Sequence, residues 1–116
     1  LHELFGVVSL EVMSHVSEMI RVGHCVTADG TEAYLPHLDR LALPLHFLHG
    51  SENAIYKPES TERTLDALVA ANGADGYGRT VVEGYGHLDC IFGARAHEDV
   101  FPAILDALEV RADPGG

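Results

Sequence analysis

At 116 residues the chain is one domain or less, long enough to bury roughly 65% of the surface its unfolded form exposes. Seven basic against 18 acidic residues leave a net charge of −11, which argues against nucleic acid or an anionic membrane as partner, because both need a basic footprint. The 47% hydrophobic content is ordinary for a globular protein, and no apolar run approaches the roughly 18 residues of a membrane span.

No secretory signal is visible, and the chain opens at Leu1 inside a helical pattern, which reads as a piece of a longer polypeptide. Residues 1–22 place Leu1, Leu4, Phe5, Val8, Val12, Val16, Met19 and Ile20 near one helical face. Ser9 is placed to cap a second helix after a break near Gly6, and Gly23 to end it. Met13 and Met19 read as packing residues. Residues 24–35 predict a β-hairpin, with Asp29-Gly30 as a type I′ turn between Cys25–Thr27 and Glu32–Tyr34. Cys25 and Cys90 are too few for a disulfide framework; two buried thiols are expected, with one long-loop disulfide as the alternative.

Pro36–Leu43 predicts a short helical or irregular turn. Leu45–Leu48, closing at His49-Gly50, predicts a parallel strand covered on both faces, with His46 and His49 on opposite sides. Gly50-Ser51-Glu52-Asn53 forms the loop after it. A helix with Ser60 as N-cap runs through Ala71, turns Leu65, Leu68 and Val69 inward and stops at Asn72-Gly73. Arg79–Val82 predicts the next strand. The last helix spans Glu98–Glu109, with Val100, Phe101, Ile104, Leu105 and Leu108 as its buried face and Pro102 tolerable in its first turn. Residues 111–116 read as a flexible tail. Strand, loop and helix twice over is the rhythm of parallel βαβ crossovers, so the fold class is α/β.

Between the second strand and the last helix lies Gly84-Tyr85-Gly86-His87-Leu88-Asp89-Cys90-Ile91-Phe92-Gly93. A histidine between a glycine and an apolar residue, just past a strand, can present its imidazole to a cleft as a general base, or can fill a loop and bond a carbonyl. This segment resembles the catalytic-histidine block of α/β-hydrolases of the acid-lipase-like branch. It is closer still to the hydrolase-like region found with GMC-type oxidoreductases of cholesterol-oxidase type. The resemblance runs from about Val22 to Leu108. It implies a partial α/β-hydrolase fold in which residues 24–110 form the carboxyl-terminal part of the core, with its last two strand–helix units, and residues 1–23 are lid-like.

The same resemblance makes His87 the base and puts an acid in a Gly-x-x-Asp pattern after Leu45–Leu48. The residue at that position is Asn53, an amide that can orient an imidazole but cannot stabilise its cation by charge. Glu52 is adjacent and can substitute if the loop shifts. Asp89 is expected to cap the local turn. Among Ser9, Ser14, Ser17, Ser51 and Ser60 none lies in a Gly-x-Ser-x-Gly elbow, so the chain has no nucleophile for the triad. No Gly-x-Gly-x-x-Gly follows a strand, and no cofactor is expected. Metal binding by the eight histidines with Cys25 and Cys90 lacks ligand spacing.

The function implied is that of the carboxyl-terminal part of a lipase or esterase, inactive alone, acting on an apolar ester or sterol substrate. The alternative is a non-catalytic module packed against, or fused to, a GMC-type flavin oxidoreductase. Expected partners are an upstream part of the same polypeptide or that oxidoreductase domain. An open strand edge adds the expectation of a homodimer when the segment is isolated.

Overall fold

A computed structural model of the chain describes residues 9–112, with side chains as far as Glu109. The described residues divide between Leu38 and Asp39 into two compact units.

The first unit is built on α1, Leu10–Val22. The Ser9 hydroxyl accepts the Val12 N–H at 3.2 Å, and Gly23, at φ 81°, closes the helix by donating its N–H to the Met19 carbonyl. Both caps stand where the sequence puts them; the break near Gly6 and the apolar positions before residue 9 lie outside the described residues. Of the described positions on the predicted face only Met19 packs. Val12, Met13, Val16 and Ile20 are exposed, whereas His15, Glu18, Met19 and Val22 are half-buried. The His15 Nε2 donates to the Val26 carbonyl at 2.7 Å, which turns that side of the helix to the following loop.

No hairpin forms at residues 24–35, which join no sheet. A type I′ turn at Asp29-Gly30 needs positive φ at both residues, and only Gly30 has it, at 80°. Asp29 instead accepts from the Thr27 hydroxyl and, at 3.2 Å, from the Thr31 N–H. These bonds satisfy its carboxylate in an Asx-type turn without left-handed backbone, and they hold the carboxyl below the ordinary aspartate range. Cys25 and Cys90 are both free; Cys25 is exposed and Cys90 half-buried, so neither the disulfide nor a buried Cys25 is found.

A 3-10 turn, Leu35–Leu41, interrupted at His37, leads into the second unit. There β1, Leu45–Gly50, and β2, Tyr77–Val82, pair in parallel with Leu45 opposite Tyr77 and Gly50 opposite Val82. Between them α2, Glu59–Asn72, makes the crossover and packs on β2, with Leu68 buried and Leu65 and Val69 half-buried. This β-α-β unit is the α/β element that the chain order predicts. The helix begins differently. Pro58 is the N-cap residue and Ser60 lies inside the first turn. Arg79, on β2, donates to the Pro58 carbonyl at 2.7 Å and to the Thr61 hydroxyl at 2.9 Å. A strand guanidinium therefore fastens the helix start that a serine cap was expected to hold.

After β2 come α3, Asp89–Phe92, α4, Ala96–Asp99, and α5, Phe101–Ala112. The single predicted last helix is thus two, broken at Val100 (φ −120°). Pro102 is the reason: in one continuous helix its ring would crowd the carbonyl of Glu98 and it has no N–H to return, whereas the first turn of a new helix needs neither. Val82, Ala96 and Val100 form the core, with Leu48, Tyr85, Cys90 and Ile104 packed on it. Phe101, Leu105 and Leu108 are exposed, contrary to expectation. They recur at i, i+4 and i+7 as a second stripe, and a two-stranded sheet has room for one stripe only. α5 also continues to Ala112, two residues into the predicted tail. Among the described residues no helix is long and apolar enough to cross a membrane.

Candidate functional site at the strand ends

Past the carboxyl ends of β1 and β2 the two loops lock together. The Ser51 N–H donates to the Val82 carbonyl (2.9 Å), the Glu52 N–H to the Tyr85 carbonyl (3.0 Å), and the Gly84 N–H to the Ser51 hydroxyl (2.9 Å). Only glycine fits at position 50. A Cβ there would lie 2.1 Å from the Tyr85 carbonyl oxygen and 2.8 Å from that of Gly86. The close approach of the two loops is what carries His87 to Asn53, 34 residues away in sequence.

Asn53 is 8% exposed. Its Oδ1 accepts the N–H groups of Ile55 (3.1 Å) and Tyr56 (3.0 Å), and its Nδ2 lies 3.2 Å from the His87 Nδ1. Reversing the amide would set its NH2 against two backbone donors, so the network fixes the orientation. The contact to His87 is then a donation from Asn53 into the Nδ1 lone pair. His87 itself is exposed, with its ring centroid 5.3 Å from that of Tyr56 and tilted by 47°.

Tyr56 is held at both ends of its backbone. Asn53 takes its N–H, and its carbonyl accepts from the Nε2 of His49 at 2.7 Å. His49 is buried at the end of β1, and its Nδ1 lies 3.2 Å from the Thr61 hydroxyl. Asp89 caps the histidine turn as expected, its Oδ2 accepting the Gly86 N–H at 2.7 Å. The Tyr85 hydroxyl donates to Asp99 at 2.8 Å and ties the same turn to α4; the neighbouring carboxylate raises the phenol above its ordinary range.

These groups border a cleft of about 540 Å³ whose apolar wall is Leu48, Ile91, Val100 and Ile104, with Tyr56 and Cys90 beside His87 and Asn53. Burial, and then the charge of Asp89, push the Cys90 thiol up. Neither lysine nor arginine lines the cleft. A space of this size suits a small molecule.

Of the three residues singled out from sequence, His87 and Asn53 meet. Glu52 is exposed, its backbone spent on Tyr85, and among the described residues no hydrogen bond or ion pair joins its carboxylate to His87. The sequence reading places His49 on the strand and Ser51 in the loop after it without giving either a role in the site, and it misses Tyr56, around which no motif stands. Among the described residues no group of three His, Cys, Asp or Glu side chains is placed to hold a metal ion. Comparison with family models, with curated proteins and with solved structures gives no match to the chain.

Proposed function

We propose that this chain is a hydrolase-like module, the carboxyl-terminal part of an α/β-hydrolase fold, which binds at its cleft without hydrolysing. One observation carries the reading: the Asn53 oxygen is spent on two backbone N–H groups, so the site offers His87 a donor where a working base has an acceptor. A triad histidine needs an acceptor at Nδ1, which frees Nε2 to take the hydroxyl proton; replacing that acceptor by an amide in a serine protease costs about 10⁴ in kcat. The resemblance of the His87 block makes an upstream part of the same polypeptide, or a GMC-type flavin oxidoreductase, the partner of the module.

A second reading keeps the lipase or esterase activity, with the nucleophile supplied from sequence outside this chain and an apolar ester or sterol ester as substrate. His87 favours it by standing beyond the carboxyl ends of parallel strands, where α/β sheets collect reacting groups. The two readings separate in the complete polypeptide that carries this sequence, assayed on an aryl ester with and without His87→Ala. The binding module predicts a rate within twofold of the parent. A loss of about a hundredfold or more, the contribution of a general base, would establish the second reading and end the first.

A further inference from the structure

Asn53 does more than touch His87; it selects which ring nitrogen carries the proton. We propose that Asn53 is a positioning residue that holds His87 as the Nε2–H tautomer, so that the ring meets the cleft as a hydrogen-bond donor. The inference rests on the site read as a binding module.

The argument is one of counting donors and acceptors. The buried amide has two N–H groups and one oxygen with two lone pairs. Both lone pairs are taken, by the Ile55 and Tyr56 N–H groups at 3.1 and 3.0 Å. The amide Nδ2 faces His87 Nδ1 at 3.2 Å. A neutral imidazole has one N–H and one lone pair. If the proton sat on Nδ1, two donors would face each other beside a residue that is only 8% exposed, and an Asn53 N–H would lose its partner. If it sits on Nε2, the Asn53 N–H that faces the ring has its acceptor, and the Ile55 and Tyr56 N–H groups keep theirs. The amide cannot turn to suit the other tautomer, because turning would oppose it to the two loop N–H groups. Nor does any other side chain compete for Nδ1 among the described residues. Any group that meets Nε2 must therefore accept a hydrogen bond.

The site is one atom from the opposite state. In Asn53→Asp, one carboxylate oxygen can keep the Ile55 and Tyr56 N–H groups while the second replaces the NH2 and accepts from Nδ1. The proton then moves to Nδ1 and Nε2 becomes the lone pair. Free histidine itself favours the Nε2 proton, so the variant is the informative sample.

The test is the nitrogen spectrum of the His87 ring in the ¹⁵N-labelled 116-residue chain, recorded at alkaline pH where imidazoles are neutral. The parent is expected to carry its proton on Nε2. In Asn53→Asp the ratio of the two tautomers is expected to change about tenfold or more toward Nδ1–H, the effect of one charge-assisted hydrogen bond gained. An unchanged ratio in the variant overturns the proposal. So does Nδ1–H in the parent, a result that does not depend on whether the variant folds. The ring spectrum and the ester assay are independent: hydrolysis that depends on His87 ends the binding-module reading, while the tautomer ratio alone decides the role of Asn53.

Discussion

Gly50→Ala is the substitution with the largest effect that the geometry allows to be worked out. The added methyl would fall 2.1 Å from the Tyr85 carbonyl oxygen, 2.6 Å from its carbon and 2.8 Å from the Gly86 oxygen, all backbone atoms that no rotamer change can move. The 85–86 segment has to withdraw. Its retreat breaks the Glu52–Tyr85 bond and strains the adjoining Ser51–Val82 bond. Overpacking costs about 1–3 kcal/mol, and the two hydrogen bonds about 1 kcal/mol each. The total, about 3–5 kcal/mol, is a large share of the roughly 5–15 kcal/mol that holds a small domain folded. Thermal unfolding followed by circular dichroism should show Tm lower by about 12–20 °C, or no cooperative transition. Gly84→Ala is the control. Its Cβ meets nothing within 4 Å, and only its φ of 75° opposes a side chain, at about 1–2 kcal/mol. Equal stability of Gly50→Ala and the parent, or a larger loss in Gly84→Ala, would refute the interlocked loops.

Two further outcomes follow from the same arrangement. β1 and β2 each pair with one strand only among the described residues, and unpaired edges seek partners; light scattering on the isolated chain should therefore give a dimer mass, and a monomer at high concentration would contradict it. Cys25 is exposed, whereas Cys90 lies in the cleft with its thiol pushed up by burial and by Asp89. Alkylation mapped by mass spectrometry at neutral pH should modify Cys25 first, and equal rates would contradict the placement of Cys90.

The sequence was most legible where a local rule decides the outcome. Ser9 and Gly23 bracket α1 because a hydroxyl acceptor and a left-handed glycine are local requirements. The β1-α2-β2 order follows from apolar runs alternating with a helical pattern, and the Asn53–His87 meeting follows from both lying just past parallel strands. It was least legible where a distant group takes over a local role. Arg79 holds the start of α2 from the neighbouring strand, and no pattern around Ser60 records that. Asp29-Gly30 carries the composition of a type I′ turn, yet the Thr27 and Thr31 bonds to the carboxylate prevail. Apolar periodicity counted both stripes of α5 as buried because it cannot tell how wide a sheet lies beneath. Within the site, the residue types disclose that an amide replaces the acid; only the folded structure shows that its oxygen is already engaged.

The pairing on which the site rests is open to a double-mutant cycle in stability, with Asn53→Ala, His87→Ala and the double variant compared by urea unfolding. The Asn53–His87 bond predicts non-additivity of about 0.5–1.5 kcal/mol, and the matching cycle with Glu52→Ala predicts none. Additive losses for Asn53 and His87, with coupling between Glu52 and His87 instead, would contradict the account.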